Sequence, residues 1–104
     1  MSDKSIVEVV LFRLNPGVDE TEFLAASAGV ELFLRGTGGF IQRELLQNEE
    51  GQWVDVVHWR SQAEAYAAAE KIMSDPRGQK FGAFIDPSSI TMLHLQPRQT
   101  MAAN

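Results

Sequence analysis

Two stretches of this chain, VEVVLF (residues 7–12) and WVDVVHW (residues 53–59), are apolar on both sides of the structure they must form. Valine and aromatic residues at this density favour extended backbone, where successive side chains point to opposite faces. In the first, Val7, Val9 and Leu11 share one face, and Ile6, Val10, Phe12 and Leu14 share the other with Glu8. In the second, Asp55 interrupts one face and His58 the other. A sheet made of such strands needs a cover on both sides. A chain of 104 residues builds one small core. A second copy of the chain, sheet against sheet, is the simplest second cover.

The remaining punctuation places the other elements. NPG (residues 15–17) ends the first strand, and Asp19 then caps a helix with Phe23, Ala26, Val30, Phe33 and Leu34 at helical spacing. GTGG (residues 36–39) turns the chain into a second strand, FIQRELLQ (residues 40–47), and NEEG reads as a hairpin loop into WVDVVHW. Ser61 and Glu64 have capping-box spacing at the start of a second helix, with Tyr66, Ala69, Ile72 and Met73 along one face. Asp75 and Pro76 start a short extra helix carrying Phe81, Phe84 and Ile85; SITMLHLQ (residues 89–96) is the last strand. The order β-α-β-β-α-β, with a short helix before the final strand, is the α+β ferredoxin-like arrangement. The expectation is one domain over residues 1–104, with a core of about 5–96 and a loose tail at 97–104. The segment 75–85, with Gly78 and Gly82, reads as a lid.

Composition removes several function classes. With no cysteine, the chain has no disulfide, thiol nucleophile or cysteine metal site. A net charge of −5 and nine scattered Lys and Arg argue against nucleic acid and anionic membranes as partners. No apolar run reaches bilayer-spanning length, and the opening MSDKSIVEVV lacks the layout of a secretory leader, so a cytoplasmic location is expected.

VEVVLFRLNPGVDETEF and GFIQRELLQNEEGQWVDVVHWRSQAEAYAAAE resemble, in that order, the opening and middle of the dimeric α+β barrel proteins of the antibiotic-biosynthesis-monooxygenase-like (ABM-like) kind. The likeness covers roughly residues 7–95 and rests on the ordered combination, since no single motif in it is specific. It implies a homodimer whose two four-stranded sheets close one barrel, with a ligand pocket in each subunit between sheet and helices. Relatives include cofactor-independent oxygenases of polycyclic phenols, haem-degrading oxygenases and isomerases, so the resemblance speaks to fold before function. In the quinone-forming oxygenases a carboxamide on the third strand, a Trp four residues on, a Tyr on the next helix and a later Arg serve the site. Asp55 and Trp59 match the first two by spacing, Tyr66 falls one residue late, and Arg77 or Lys80 would stand for the last. Asp55 departs from the pattern, because an ionised carboxylate accepts hydrogen bonds and cannot donate them. The plain alternative is that Trp59 and Tyr66 are core aromatics. The haem-degrading relatives use a helical His as iron ligand, whereas His58 and His94 both fall in predicted strands.

A loop over residues 48–51 would pair Gln47 with Gln52 and set Glu44 directly across from Asp55, a carboxylate pair suited to acid/base work if buried. Contact with water or a nearby arginine is the bland alternative. Glu8, Phe12, Phe81 and Phe84 are the expected further lining of the pocket, and His58, His94 and Arg43 the expected residues of the barrel or dimer face. No spacing supports a metal site, and a Ser61–His58–Asp55 triad fails because His58 and Asp55 point apart. Two functions remain: a monooxygenase-like enzyme without metal, flavin or other cofactor acting on a small hydrophobic aromatic or polyketide-like molecule, or a non-catalytic ligand-binding or structural dimeric barrel. A cavity of about 300 Å³ or more reached by Asp55, Trp59 and Tyr66 would favour the enzyme.

Overall fold

The computed structural model describes residues 4–103. Its elements are β1 (Ile6–Phe12), α1 (Glu20–Arg35), β2 (Phe40–Gln47), β3 (Trp53–Trp59), α2 (Gln62–Met73), α3 (Pro76–Gly82), a 3₁₀ turn (Pro87–Ser89) and β4 (Thr91–Leu95). The four strands form one antiparallel sheet in the order β2-β3-β1-β4, the ferredoxin-like order. The starts of the helices follow their capping chemistry: the side chains of Asp19, Ser61 and Asp75 accept from the backbone N–H groups of Thr21, Glu64 and Arg77.

Alternation divides the sheet. Ile6, Phe12, Trp53, Val57 and Trp59 are buried on the helix side. Their core falls into two clusters. Val30, Phe33, Leu34, Val57, Trp59, Ala65 and Ala68 form one. Phe12, Phe23 and Trp53 form the other, and Phe81 of α3 packs against both. On the opposite side Val9 faces Val56 and Leu93, while Leu46, Leu93 and Leu95 are 47%, 43% and 46% exposed. This apolar face carries no helix. Among the described residues no helix is long and apolar enough to cross a membrane.

The β2–β3 hairpin differs from the expected register by one residue. Asn48 N–H donates to the Gln52 carbonyl, and Gln47 faces Trp53. The loop is therefore three residues, 49–51, and its last, Gly51, lies at φ 84°, the left-handed position such loops need. The Asn48 side chain accepts from the Glu50 and Gln52 N–H groups and locks the turn. A bulge between Phe40 and Gln42 shifts the register again near the strand's start.

The short helix α3 packs closely against the end of α2. A Cβ at Gly78 would sit 2.3 Å from the Ile72 carbonyl oxygen, so glycine is there for close approach to the end of α2. Asp75 caps α3 and pairs with Arg77 at 2.8 Å. The Arg77 guanidinium, and then its backbone N–H, hold the Asp75 carboxyl down at about 2. Gly78→Ala is expected to cost roughly 1–3 kcal/mol, because backbone must move. Gly29→Ala, whose Cβ would meet Arg77 at an ordinary 3.6 Å, should stabilise α1 by up to about 1 kcal/mol. Thermal melts of both variants check the contrast; equal melting temperatures would sink it.

Candidate active site

Asp55 and Arg43 occupy the middle of the helix side, between the two apolar clusters. Their side chains are only 12% and 3% exposed. Arg43 donates through Nε to Asp55 Oδ1 and through Nη2 to Oδ2, both at 2.9 Å. This two-pronged geometry suits a guanidinium and is the strong form of a charge-assisted pair. Nη1 of Arg43 donates to Ser27 Oγ at 2.8 Å and to the Ser27 carbonyl at 3.3 Å, tying the pair to α1. The guanidinium also lies 5.5 Å from the centre of the Phe81 ring, a cation–π contact. Among the described residues no buried side-chain nitrogen or oxygen lacks a partner.

A second polar group lies one strand over. Glu8 and His94 are direct cross-strand partners on β1 and β4. Glu8 Oε2 is 3.2 Å from His94 Nε2, and Glu8 Oε1 accepts from the Trp59 indole N–H at 3.2 Å. Glu8 is 12% and His94 20% exposed at the side chain. Tyr66 packs edge-on to His94 at 5.1 Å, and its hydroxyl accepts from the Gln62 amide. Glu8 is opposite Val57 and Asp55 opposite Val10, so the carboxylates are diagonal neighbours on one face; such positions lie roughly 7–8 Å apart.

Between the two polar groups and the helices lies a cavity of about 240 Å³. Glu8, Arg43, Asp55 and Trp59 line its sheet side. Apolar residues from α1, α2 and α3 close it, Phe33, Ala68, Ile72 and Phe81 among them. Met73 and Met92, which are 77% and 51% exposed, form its rim. Unbranched methionine side chains adapt to what enters. The volume is somewhat below the 300 Å³ lower end usual for small-molecule sites.

The structure thus gathers some of the predicted residues and scatters others. Asp55, Trp59, Glu8 and Phe81 line the cavity. Glu44 does not: the one-residue register difference sets it across from Val56 on the helix-free face, exposed, and puts Leu45 opposite Asp55. No carboxylate pair exists there. Tyr66 is 48% exposed beside His94 and stays outside the lining, while Trp59, at 1%, is both core and wall. Phe12 and Phe84 belong to the neighbouring aromatic cluster instead. Of the barrel-face residues only His58 lies on the helix-free side, opposite Gln42 and Val7. Arg43 and His94 face the helices, Arg43 by the same register difference and His94 by its pairing with Glu8. Arg77 is engaged with Asp75 and lies over Phe33, so neither it nor Lys80 lines the cavity; the cation there is Arg43. The Arg43–Asp55 pair is the arginine contact held as the alternative to a carboxylate pair. The Glu8–His94 pairing was missed, because it joins strands far apart in sequence and only the sheet order reveals it. Among the described residues no group of three or more His, Asp or Glu side chains is placed to hold a metal ion.

Comparison with known proteins agrees with this architecture. No family model matches the sequence, and no curated protein matches it. Solved structures match throughout its length. A mutant form of SnoaB, a cofactor-independent oxygenase from Streptomyces nogalater, aligns with TM-score 0.80 at 18% identity, covering 96% of this chain and 99% of the other. A monooxygenase from the gene ActVA-Orf6 of Streptomyces coelicolor, solved with Nanaomycin D, aligns with TM-score 0.74 at 18% identity over 97% and 94% of the two chains. A dimeric ferredoxin-like protein of unknown function from Jannaschia sp. CCS1 aligns with TM-score 0.66 at 13% identity over 88% and 97%. The chain shares the ferredoxin-like α+β fold of these proteins. At these identities the likeness is one of fold.

Proposed function

We propose that this protein is an ABM-like, cofactor-independent oxygenase that acts on a small hydrophobic aromatic or polyketide-like molecule. The observation that carries the reading is the apolar cavity with Asp55, Arg43, Glu8 and Trp59 on a single wall. It is supported by the fold shared with SnoaB, a cofactor-independent oxygenase, and with the ActVA-Orf6 monooxygenase. In such a cavity an aromatic ligand lies between Trp59, Phe33 and Phe81. Arg43 is held in place by Asp55 and Ser27, and its charge favours negative charge developing on a ligand oxygen. In this reading two subunits pack through the helix-free sheet faces, and the assembly needs neither nucleic acid nor membrane.

A second reading, a dimeric barrel that binds a small molecule without turning it over, draws on the cavity's modest volume and on Asp55 being a carboxylate at the position where the sequence resemblance implies a carboxamide. An oxygen electrode separates the two. The purified protein, offered anthrones and hydroquinones without added metal or flavin, is expected to consume oxygen and yield quinones. Quenching of tryptophan fluorescence by the same compounds without oxygen consumption supports the binding module. Neither response would remove both.

A further inference from the structure

Two carboxylates line the cavity, and their partners differ in what they can do with a proton. Both oxygens of Asp55 are engaged by Arg43. A guanidinium stays protonated in proteins, so it offers no route by which a proton received by Asp55 could leave. Glu8 is placed otherwise. One oxygen accepts from Trp59 and the other lies against His94 Nε2. Imidazole is the side chain best suited to take and release a proton near neutrality. His94 is partly open to solvent while Glu8 lines the cavity, so the two span the distance from ligand to water. Tyr66 holds the ring edge-on, and the cross-strand pairing of β1 with β4 fixes both backbones.

We infer that Glu8 is the proton-accepting catalytic residue of this cavity, with His94 as its relay to solvent, for aromatic ligands bearing an acidic C–H or O–H. The inference rests on the proposed aromatic-ligand site and deepens it. For an anthrone, a methylene C–H bond breaks and its electron pair forms the enolate. The proton passes to a Glu8 oxygen; the protonated carboxyl then donates to Nε2 of His94 in the tautomer that carries its proton on Nδ1, and hands the proton on. Glu8 is again anionic, His94 becomes cationic, and nothing is oxidised or reduced. His94 then loses a proton to water.

This step is measurable without oxygen. Anthrone is incubated anaerobically in D₂O with the native protein, and exchange of its methylene protons is followed by NMR. The native protein is expected to accelerate exchange, and Glu8→Gln to lower that acceleration by roughly 100-fold or more. Glutamine retains an acceptor for the Trp59 N–H, so the variant should keep its melting temperature. His94→Ala is expected to lose roughly 10-fold or more and to regain part of it when imidazole is added, a response that a purely structural histidine would not give. If Glu8→Gln does not fold, this rescue decides alone. No exchange by the native protein, full exchange by a folded Glu8→Gln, or His94→Ala that imidazole does not rescue overturns the inference. Oxygen uptake is scored separately: exchange without uptake leaves Glu8 as the base while removing the oxygenase reading.

Discussion

Arg43→Met is expected to be the most destabilising single change on the cavity wall. It leaves Asp55 buried and charged without its guanidinium, a loss of about 3–5 kcal/mol. In a domain of this size that lowers the melting temperature by roughly 15–30 °C. The cost lies in the orphaned charge more than in a lost attraction, so removing the second partner should reverse it. Arg43→Met with Asp55→Leu replaces the pair by apolar groups beside Phe81 and Trp59, and such replacements are often neutral or stabilising. A double-mutant cycle by thermal or denaturant unfolding measures this. If the double variant is less stable than Arg43→Met alone, the pair contributes through its hydrogen bonds to the sheet and α1, and the account of an uncompensated charge is wrong. The pair also costs the core some apolar packing, a cost a purely structural barrel could avoid. Its position beside a cavity accords with a site that needs a fixed cation.

Val9→Glu is expected to abolish association through the helix-free face. Val9 is central there, flanked by Val56 on β3 and Leu93 on β4. In a two-fold interface each substitution occurs twice, so two unpaired carboxylates would be buried in it. Desolvating them costs several kcal/mol, enough to weaken dimerisation by on the order of 1,000-fold. Light scattering at micromolar concentration should show a dimer for the native chain and a monomer for the variant. The isolated variant should still fold, since the helix-side core is untouched. A native chain that scatters as a monomer would defeat the proposed assembly. A dimer that survives Val9→Glu would locate the contact elsewhere, for example on the exposed Leu24 and Leu32 of α1.

The element order was readable because each signal is local. Asp19, Ser61 and Asp75 cap helices through neighbours two or three residues away. Val and Trp alternation declares β1 and β3, and NPG and GTGG end elements wherever the rest of the chain lies. The same alternation puts Glu8, Asp55 and Trp59 on the face of Ile6, Phe12, Trp53 and Val57, but that this face is the one under the helices was not legible in the sequence. Glu44 failed because facing residues depend on a loop length that differs by one between two plausible turns. Gly51 in the left-handed region settles it, and a single residue moves a side chain to the other face of the sheet. Gly78 was ambiguous for a related reason. Glycine permits both motion and close approach, and only the Ile72 carbonyl above it tells the two apart.

Local chemistry in the chain therefore decided the elements, their order, the two-faced sheet and the presence of Asp55 and His58 on opposite sides of one strand. Tertiary structure decided the partners. Arg43 reaches Asp55 and Ser27, and Glu8 reaches Trp59 and His94, across separations in sequence of 12, 16, 51 and 86 residues. No periodicity carries information over such distances. Hydrogen-bond register and helix docking, set by the packing of the whole core, bring these groups together.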